Sequence, residues 1–221
     1  MVASYFGVRF DPKQVRDWAL PYGNGATMTV GLARSASELG IKVVYATRSL
    51  ALDPRHFQKK FYQNYFSTFA EEKDKCDKLI VRFRELGGNL QERIYSLDEI
   101  LQKFSPNSIP IVLVDWSIIR GVAEDYSGHF LPVIGYDASS VVVHHSGPKD
   151  PQARFRISRD LFDRARLAER TDADVLFLGR PREKSGSGID GLLLKTNFRD
   201  LRHAVCRDTA TGTAPPQKLH E

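Results

Sequence analysis

The sequence lacks long apolar runs. No stretch of its 221 residues approaches the roughly 18 uninterrupted apolar residues that a membrane-spanning helix needs. The start of the chain also lacks a basic segment followed by an apolar one, so no signal peptide is predicted. These two absences favour a cytoplasmic protein without a membrane span.

Cysteine is scarce. Cys76 and Cys206 are the two cysteines of the chain, and they lie far apart. A disulfide framework or a metal site needs clustered Cys or His, so neither is predicted, and no cofactor is expected. Cys76 lies in the segment "EEKDKCDK", where a charged helix surface with acidic neighbours would raise the thiol pKa. Cys206 lies in a polar tail. For these two reasons neither thiol is predicted to be a nucleophile.

Positively charged residues modestly outnumber negatively charged ones. The formal charge is +5 and the isoelectric point is about 9.2. Positive and negative residues are interspersed, as in "RFDPKQVRD", which is typical of a solvated surface rather than a binding face for nucleic acid. Basic residues with interleaved aromatics, which mark many nucleic-acid sites, are not found, so no nucleic-acid partner is predicted.

The pattern along the chain predicts an α+β fold, with helices first and then an antiparallel run of strands that contains one helix. Helix starts are predicted at Asp11, Ser96 and Ser158, which are capping residues before helical spacing of apolar residues. Residues 109–116 predict a buried strand, and residues 153–158 an edge strand. Residues 1–180 are expected to form the domain, and 181–221 a polar tail with one short helix at most.

The segment "GHFLPVIGYDASSVVVHHSGP", residues 128–148, predicts a β-hairpin with His129 at the start of its first strand. Asp137 falls in the turn, where a side chain normally faces solvent. His144 and His145 are consecutive on the second strand, so they point to opposite faces and only one of them can share a site with His129. A metal site is therefore not predicted, because no Cys or acidic cluster completes a ligand set.

This hairpin resembles the histidine segment of papain-like cysteine peptidases, in particular the bacteriocin-processing (double-glycine leader) peptidases. "MVASYFG", residues 1–7, resembles the last half of their nucleophile motif, which would put the nucleophilic Cys about seven residues before Met1. A cousin group, named for a proposed plant guanylyl cyclase, shares the hairpin and an ending like "SRDLFDRARLAERTDADVLFLG". The resemblance covers roughly 180 residues and implies N-terminal helices packed on a C-terminal antiparallel sheet.

The resemblance implies a role for four residues. His129 matches the general base and acid of a thiol peptidase, and His145 stands where the family has an orienting Asp or Asn. Trp116, at the end of the buried strand, and Gly128, directly before the histidine, are the predicted substrate-binding residues. For Trp116 a structural role capping the core remains an alternative.

The predicted function is that of a cysteine peptidase-like protein, acting on a peptide or amide substrate and inactive as the chain stands because the Cys is missing. A first alternative is a non-catalytic pseudo-peptidase that binds a peptide ligand. A weaker alternative is a guanylyl cyclase-like protein, for which the sequence offers no paired metal-binding carboxylates. The turn at Gly23 and Gly25 has no P-loop lysine beside it.

Overall fold

The computed structural model describes residues 1–21, 26–54, 68–123, 126–147, 150–169 and 171–182. The predicted α+β class is confirmed. The helices are α1 (Val2–Tyr5), α2 (Pro12–Ala19), α3 (Thr29–Glu38), α4 (Phe69–Glu85), α5 (Leu97–Gln102), α6 (Trp116–Arg120) and α7 (Arg159–Arg166). The strands are β1 (Ile41–Thr47), β2 (Asn89–Glu92), β3 (Ser108–Asp115), β4 (Gly128–Tyr136), β5 (Ser140–His145), β6 (Gln152–Ser158) and β7 (Val175–Pro181).

The strands form one sheet in the order β2-β1-β7-β3-β4-β5-β6. The predicted antiparallel pairing holds between all neighbouring strands except β1 and β2, which pair in parallel. A parallel pair needs a crossover, and the long helix α4 supplies it between these two strands. The predicted edge position of residues 153–158 is confirmed, because β6 is the last strand of the sheet.

The last strand of the described chain, β7, holds the two halves of the core together. Val175 and Phe177 belong to one apolar cluster, whereas Leu176 and Leu178 belong to the other. Successive strand residues point to opposite faces, so helices cover both faces of β7. The first cluster takes its buried helical residues from α5 and α7, and the second from α1, α3 and α4.

The predicted helix starts are confirmed by their caps. Asp11 accepts a hydrogen bond from the backbone N–H of Lys13 at 2.9 Å, directly before a proline in the first turn. Ser96 forms a reciprocal capping box with Glu99. Ser158 accepts from the backbone N–H of Leu161. Local chemistry therefore set these three boundaries.

The chain turns into a helix one residue earlier than predicted at the end of β3. Trp116 was expected to end the strand, but it is the first residue of α6, because the side chain of Asp115 caps that helix. The apolar run continues through Ile118 and Ile119 and therefore hides the boundary. Residues 55–67, the predicted turn at 22–25 and residues 183–221 lie outside the described part of the chain. No described helix combines the length and apolar character required to cross a bilayer.

Candidate functional site at one edge of the sheet

Four strand ends meet at one edge of the sheet. Strand β3 ends there at Asp115, directly opposite Gly128 at the start of β4, and Val114 is paired with His129. Strand β5 ends at His145, opposite Gln152 at the start of β6. Because neighbouring strands run antiparallel, residues far apart in sequence come together at this edge.

The edge carries a cluster of aromatic and imidazole rings. The indole of Trp116 stacks on the ring of His145, with centroids 4.4 Å apart and planes 9° from parallel. The His129 ring lies 5.3 Å from the indole and 4.8 Å from the His145 ring. Phe155, on β6, closes the group at 5.8 Å from Trp116. The structure therefore brings together the three ring residues that the sequence singled out, Trp116, His129 and His145. With Phe155 they form what we call the Trp116 cluster.

His129 is held as a neutral imidazole. Burial, and to a smaller extent the neighbouring His145, lowers the pKa of His129 to about 4. Its Nε2 atom is buried and has no hydrogen-bond partner among the residues that the structure describes. A buried nitrogen without a partner is uncommon in folded proteins. The described residues therefore leave the hydrogen-bonding capacity of this atom unused.

His145 is buried, and its tautomer follows from one hydrogen bond to the backbone. Its Nδ1 lies 3.1 Å from the backbone carbonyl oxygen of Asp150. A carbonyl can only accept, so Nδ1 must carry the proton and Nε2 of the neutral ring is left as an acceptor. His144, its neighbour in sequence, is only partly buried on the opposite face of β5, as the alternation predicted.

Gly128 and Trp116, the two predicted substrate-binding residues, differ in their exposure. Gly128 is exposed, and a Cβ at this position would lie 2.6 Å from the phenolic oxygen of Tyr126. A side chain here would therefore displace Tyr126 or the start of β4. Trp116 is half-buried and packs against the first apolar cluster.

Asp115 ties the two strands together at this edge, a role that the sequence analysis did not assign. Its carboxylate is buried, and Oδ1 accepts from the backbone N–H and the hydroxyl of Ser117 and from the backbone N–H of Ser127, at 3.1, 2.6 and 3.2 Å. The backbone N–H of Trp116 in turn donates to the carbonyl of Ser127 at 2.7 Å. The aspartate before a short helix was the available signal, since such residues are common caps.

A second buried polar group lies elsewhere in the sheet, around Asp174. The hydroxyl of Thr29 donates to its Oδ2, and the phenol of Tyr45 lies 3.3 Å from both carboxylate oxygens. Burial raises the pKa of Asp174 to about 7, although hydrogen bonds from Thr29, Thr47 and Tyr45 act in the opposite direction. Sequence reasoning missed this group because its members are up to 145 residues apart.

Cys76 is buried in the second apolar cluster, not on the charged helix surface that was predicted. The acidic neighbours do raise its pKa, but burial is the larger cause, and together they bring the pKa to about 11. The prediction was wrong about exposure because helix α4 turns this position toward the sheet. Cys206 and the glycines of the 22–25 turn lie outside the described residues.

Asp137 adopts the turn role expected of it. Its Oδ1 accepts from the backbone N–H groups of Ser139 and Ser140 at 2.9 and 2.8 Å, and its Oδ2 accepts from Arg156. These hydrogen bonds, led by that of Ser139, lower the pKa of Asp137 well below its ordinary value. Within the described ranges, no three His, Cys, Asp or Glu side chains are grouped so as to hold a metal ion.

Comparison with known proteins identifies the family. The model of the guanylylate cyclase family matches residues 1–178, so the chain belongs to this family. A curated relative, guanylyl cyclase 1 of Arabidopsis thaliana, is 26% identical over 174 residues, which cover 72% of this chain and 62% of that protein. The chain thus spans about three fifths of the length of that relative. No solved structure matches the chain.

These comparisons overturn the assignment to the bacteriocin-processing peptidases. The predicted thiol peptidase, its hydrolase activity and its pseudo-peptidase alternative are withdrawn with it, and the family is the one that had been ranked as the weaker alternative. The physical reason is that a strand beginning at Gly-His, an Asp turn and a second apolar strand describe a hairpin. They do not describe a reaction. The papain-like arrangement within the α+β class remains a prediction.

Proposed function

We propose that this chain is a guanylyl cyclase-like protein that binds GTP at the Trp116 cluster and forms a cyclic nucleotide from it. Family membership and the name of the Arabidopsis relative supply the reaction. One structural observation supports this place: the buried Nε2 of His129, which has no partner among the described residues, lies beside a half-buried indole. The peptide or amide substrate expected from the peptidase interpretation is not part of this proposal.

Trp116 is the proposed platform for the guanine base. Stacking of a base on an aromatic side chain contributes about 1–3 kcal/mol, and it is strongest on a rigid ring. The indole is held by stacking on His145 and by Phe155, so little mobility has to be lost on binding. Gly128 has no side chain, and the phenol of Tyr126 occupies the space that a Cβ would take at the start of β4.

His129 is the proposed proton acceptor. In the cyclisation the 3′ oxygen of the ribose attacks the α-phosphorus, the bond from the α-phosphorus to the bridging oxygen breaks, and pyrophosphate leaves. The proton of the 3′ hydroxyl passes to Nε2 of His129. Negative charge on the bound triphosphate favours the imidazolium and raises the pKa of His129 from its resting value of about 4. His145, packed against this ring, limits its orientation.

We also propose a cytoplasmic location, because GTP is an intracellular substrate. The first test is binding. A Trp18→Phe variant leaves Trp116 as the remaining tryptophan of the two in the chain, so its fluorescence reports on the proposed site. We expect saturable quenching on titration with the Mg²⁺ salt of GTP, and weaker quenching with ATP. Unchanged emission up to millimolar GTP would contradict the proposal.

The second test is turnover by the full chain. Cyclic GMP and pyrophosphate formed from GTP are measured by mass spectrometry and an enzyme-coupled assay. We expect His129→Asn to lower the rate about 10²- to 10⁴-fold, the range for loss of a general base. His144→Asn is the matched control, since it changes the neighbouring histidine on the opposite face, and its rate should be unchanged. Absence of both products with the unaltered chain would refute the activity.

A further inference from the structure

We infer that Asp115 is a positioning residue for the Trp116 cluster: its buried carboxylate fixes Trp116 and the start of β4 relative to each other. This inference concerns the site of the proposed function and rests on that function for its catalytic consequence. Its structural part stands on the hydrogen bonds of Asp115 alone.

The carboxylate joins two segments that carry the cluster. Oδ1 accepts from Ser117, one residue after Trp116, and from Ser127, two residues before His129. A single oxygen atom therefore fixes both of the chain segments that present the indole and the imidazole. The backbone bond from Trp116 to Ser127 adds a second tie between the same segments.

The bonds of Asp115 are of the kind that resist exchange with water. Asp115 and Ser117 are 7% and 3% exposed, respectively. Charge-assisted hydrogen bonds to a carboxylate are about twice as strong as neutral ones. Loss of the carboxylate leaves the Ser117 hydroxyl and two backbone N–H groups without their acceptor in a buried place. We therefore expect the 5.3 Å arrangement of the Trp116 and His129 rings to depend on Asp115.

The consequence for His129 follows from burial. Its low pKa arises mainly because the ring is held away from water. If the start of β4 is released, the ring gains water and its pKa rises toward the ordinary value. The same release separates the proposed base from the proposed platform, so turnover falls more than substrate affinity.

The experiment compares four full-length variants by NMR titration of the histidine rings, by Trp116 emission in the Trp18→Phe background, and by kcat and KM. Asp115→Ala should raise the pKa of His129 by at least one pH unit, shift the Trp116 emission and lower kcat at least tenfold with KM changed less. Asp115→Asn keeps an acceptor oxygen and loses the charge. It should therefore retain most of the native His129 titration, Trp116 emission and kcat. Ser117→Ala removes one donor and should give a small effect.

Asp11→Asn is the matched control. Asp11 also caps a helix with its carboxylate, but that helix is α2, which carries no residue of the Trp116 cluster. It should leave the titration of His129 and the emission of Trp116 unchanged. A folded Asp115→Ala protein with the native titration and emission would overturn the inference. If Asp115→Ala does not fold, a Ser117→Ala protein with both readouts unchanged would overturn it instead. The NMR and emission readouts need no nucleotide. If no cyclic GMP forms but these readouts shift, the proposed function fails while the positioning role stands.

Discussion

The carboxyl of Asp174 gives the fold a pH dependence that can be isolated. Its pKa in the folded protein is about 7, against an ordinary value of 3.8. Between these two values the unfolded chain has released the proton while the folded chain retains it. The folded state is therefore favoured below about pH 4, and this stability is lost as the pH rises toward 7.

The magnitude follows from the difference between the two pKa values. A rise of about three pH units at about 1.4 kcal/mol each gives about 4 kcal/mol of unfolding free energy lost between pH 4 and pH 7.5. Since Asp174 is buried with 6% exposure, solvent screening does not reduce this figure greatly. Asp174→Asn removes this titration, so the variant should not show the loss. The free energy of unfolding of the variant minus that of the wild type should therefore rise by about 4 kcal/mol from pH 4 to pH 7.5.

The measurement is urea denaturation of both proteins at steps of half a pH unit. The difference between the two curves is the useful quantity, because His129 acts in the opposite direction. Its pKa is lowered to about 4 from 6.5, so its contribution to stability is lost as the pH falls through that window. That contribution is common to both proteins and cancels in the difference. The Asn side chain of the variant adds only an offset that does not depend on pH.

Two further substitutions sharpen the test. Thr29→Val removes a hydrogen bond that lowers the pKa of Asp174, so the midpoint of the pH dependence should move upward. Ser35→Ala is the matched control, since Ser35 is another buried hydroxyl of α3, but it bonds to the backbone carbonyls of Val15 and Gly31. A difference between wild type and Asp174→Asn that does not change from pH 4 to 7.5 would refute the reasoning.

Two other predictions concern single buried contacts. In a Cys206→Ser background, Cys76 should react with a thiol reagent at pH 8 far more slowly in the native protein than in urea, because burial raises its pKa to about 11; equal rates would contradict this. Gly128→Ala should lower the free energy of unfolding by about 1–3 kcal/mol, because its Cβ would lie 2.6 Å from the oxygen of Tyr126. Gly135→Ala, on the same strand, meets its nearest neighbour at 3.8 Å and should change stability much less, as measured in the same urea series.

The parts of the fold that local chemistry determines could be predicted from the sequence. The caps at Asp11, Ser96 and Ser158 and the turn at Asp137 depend on residues within three positions of each other. The alternation of β5 likewise placed His144 and His145 on opposite faces. These features needed no knowledge of distant segments.

The parts that depend on long-range contact could not be predicted. Thr29 and Asp174 meet only because β7 lies between β1 and β3, which no local pattern reveals. The burial of Cys76 was missed for the same reason, since a charged segment can still turn one residue toward the core. At Trp116 the local signal was present in the capping Asp115, but the continuing apolar run concealed it.

The presence of histidine at position 145 also favours the nucleotide hypothesis over thiol chemistry on physical grounds. A thiolate and imidazolium pair is stabilised by a carboxylate or amide beside the imidazole. A carboxylate at this buried place would raise the pKa of His129, whereas the imidazole of His145 lowers it. The cluster therefore keeps His129 neutral until another negative charge arrives. A triphosphate brings that charge with it, so the substrate itself would supply a counterion that the described residues of this site do not provide.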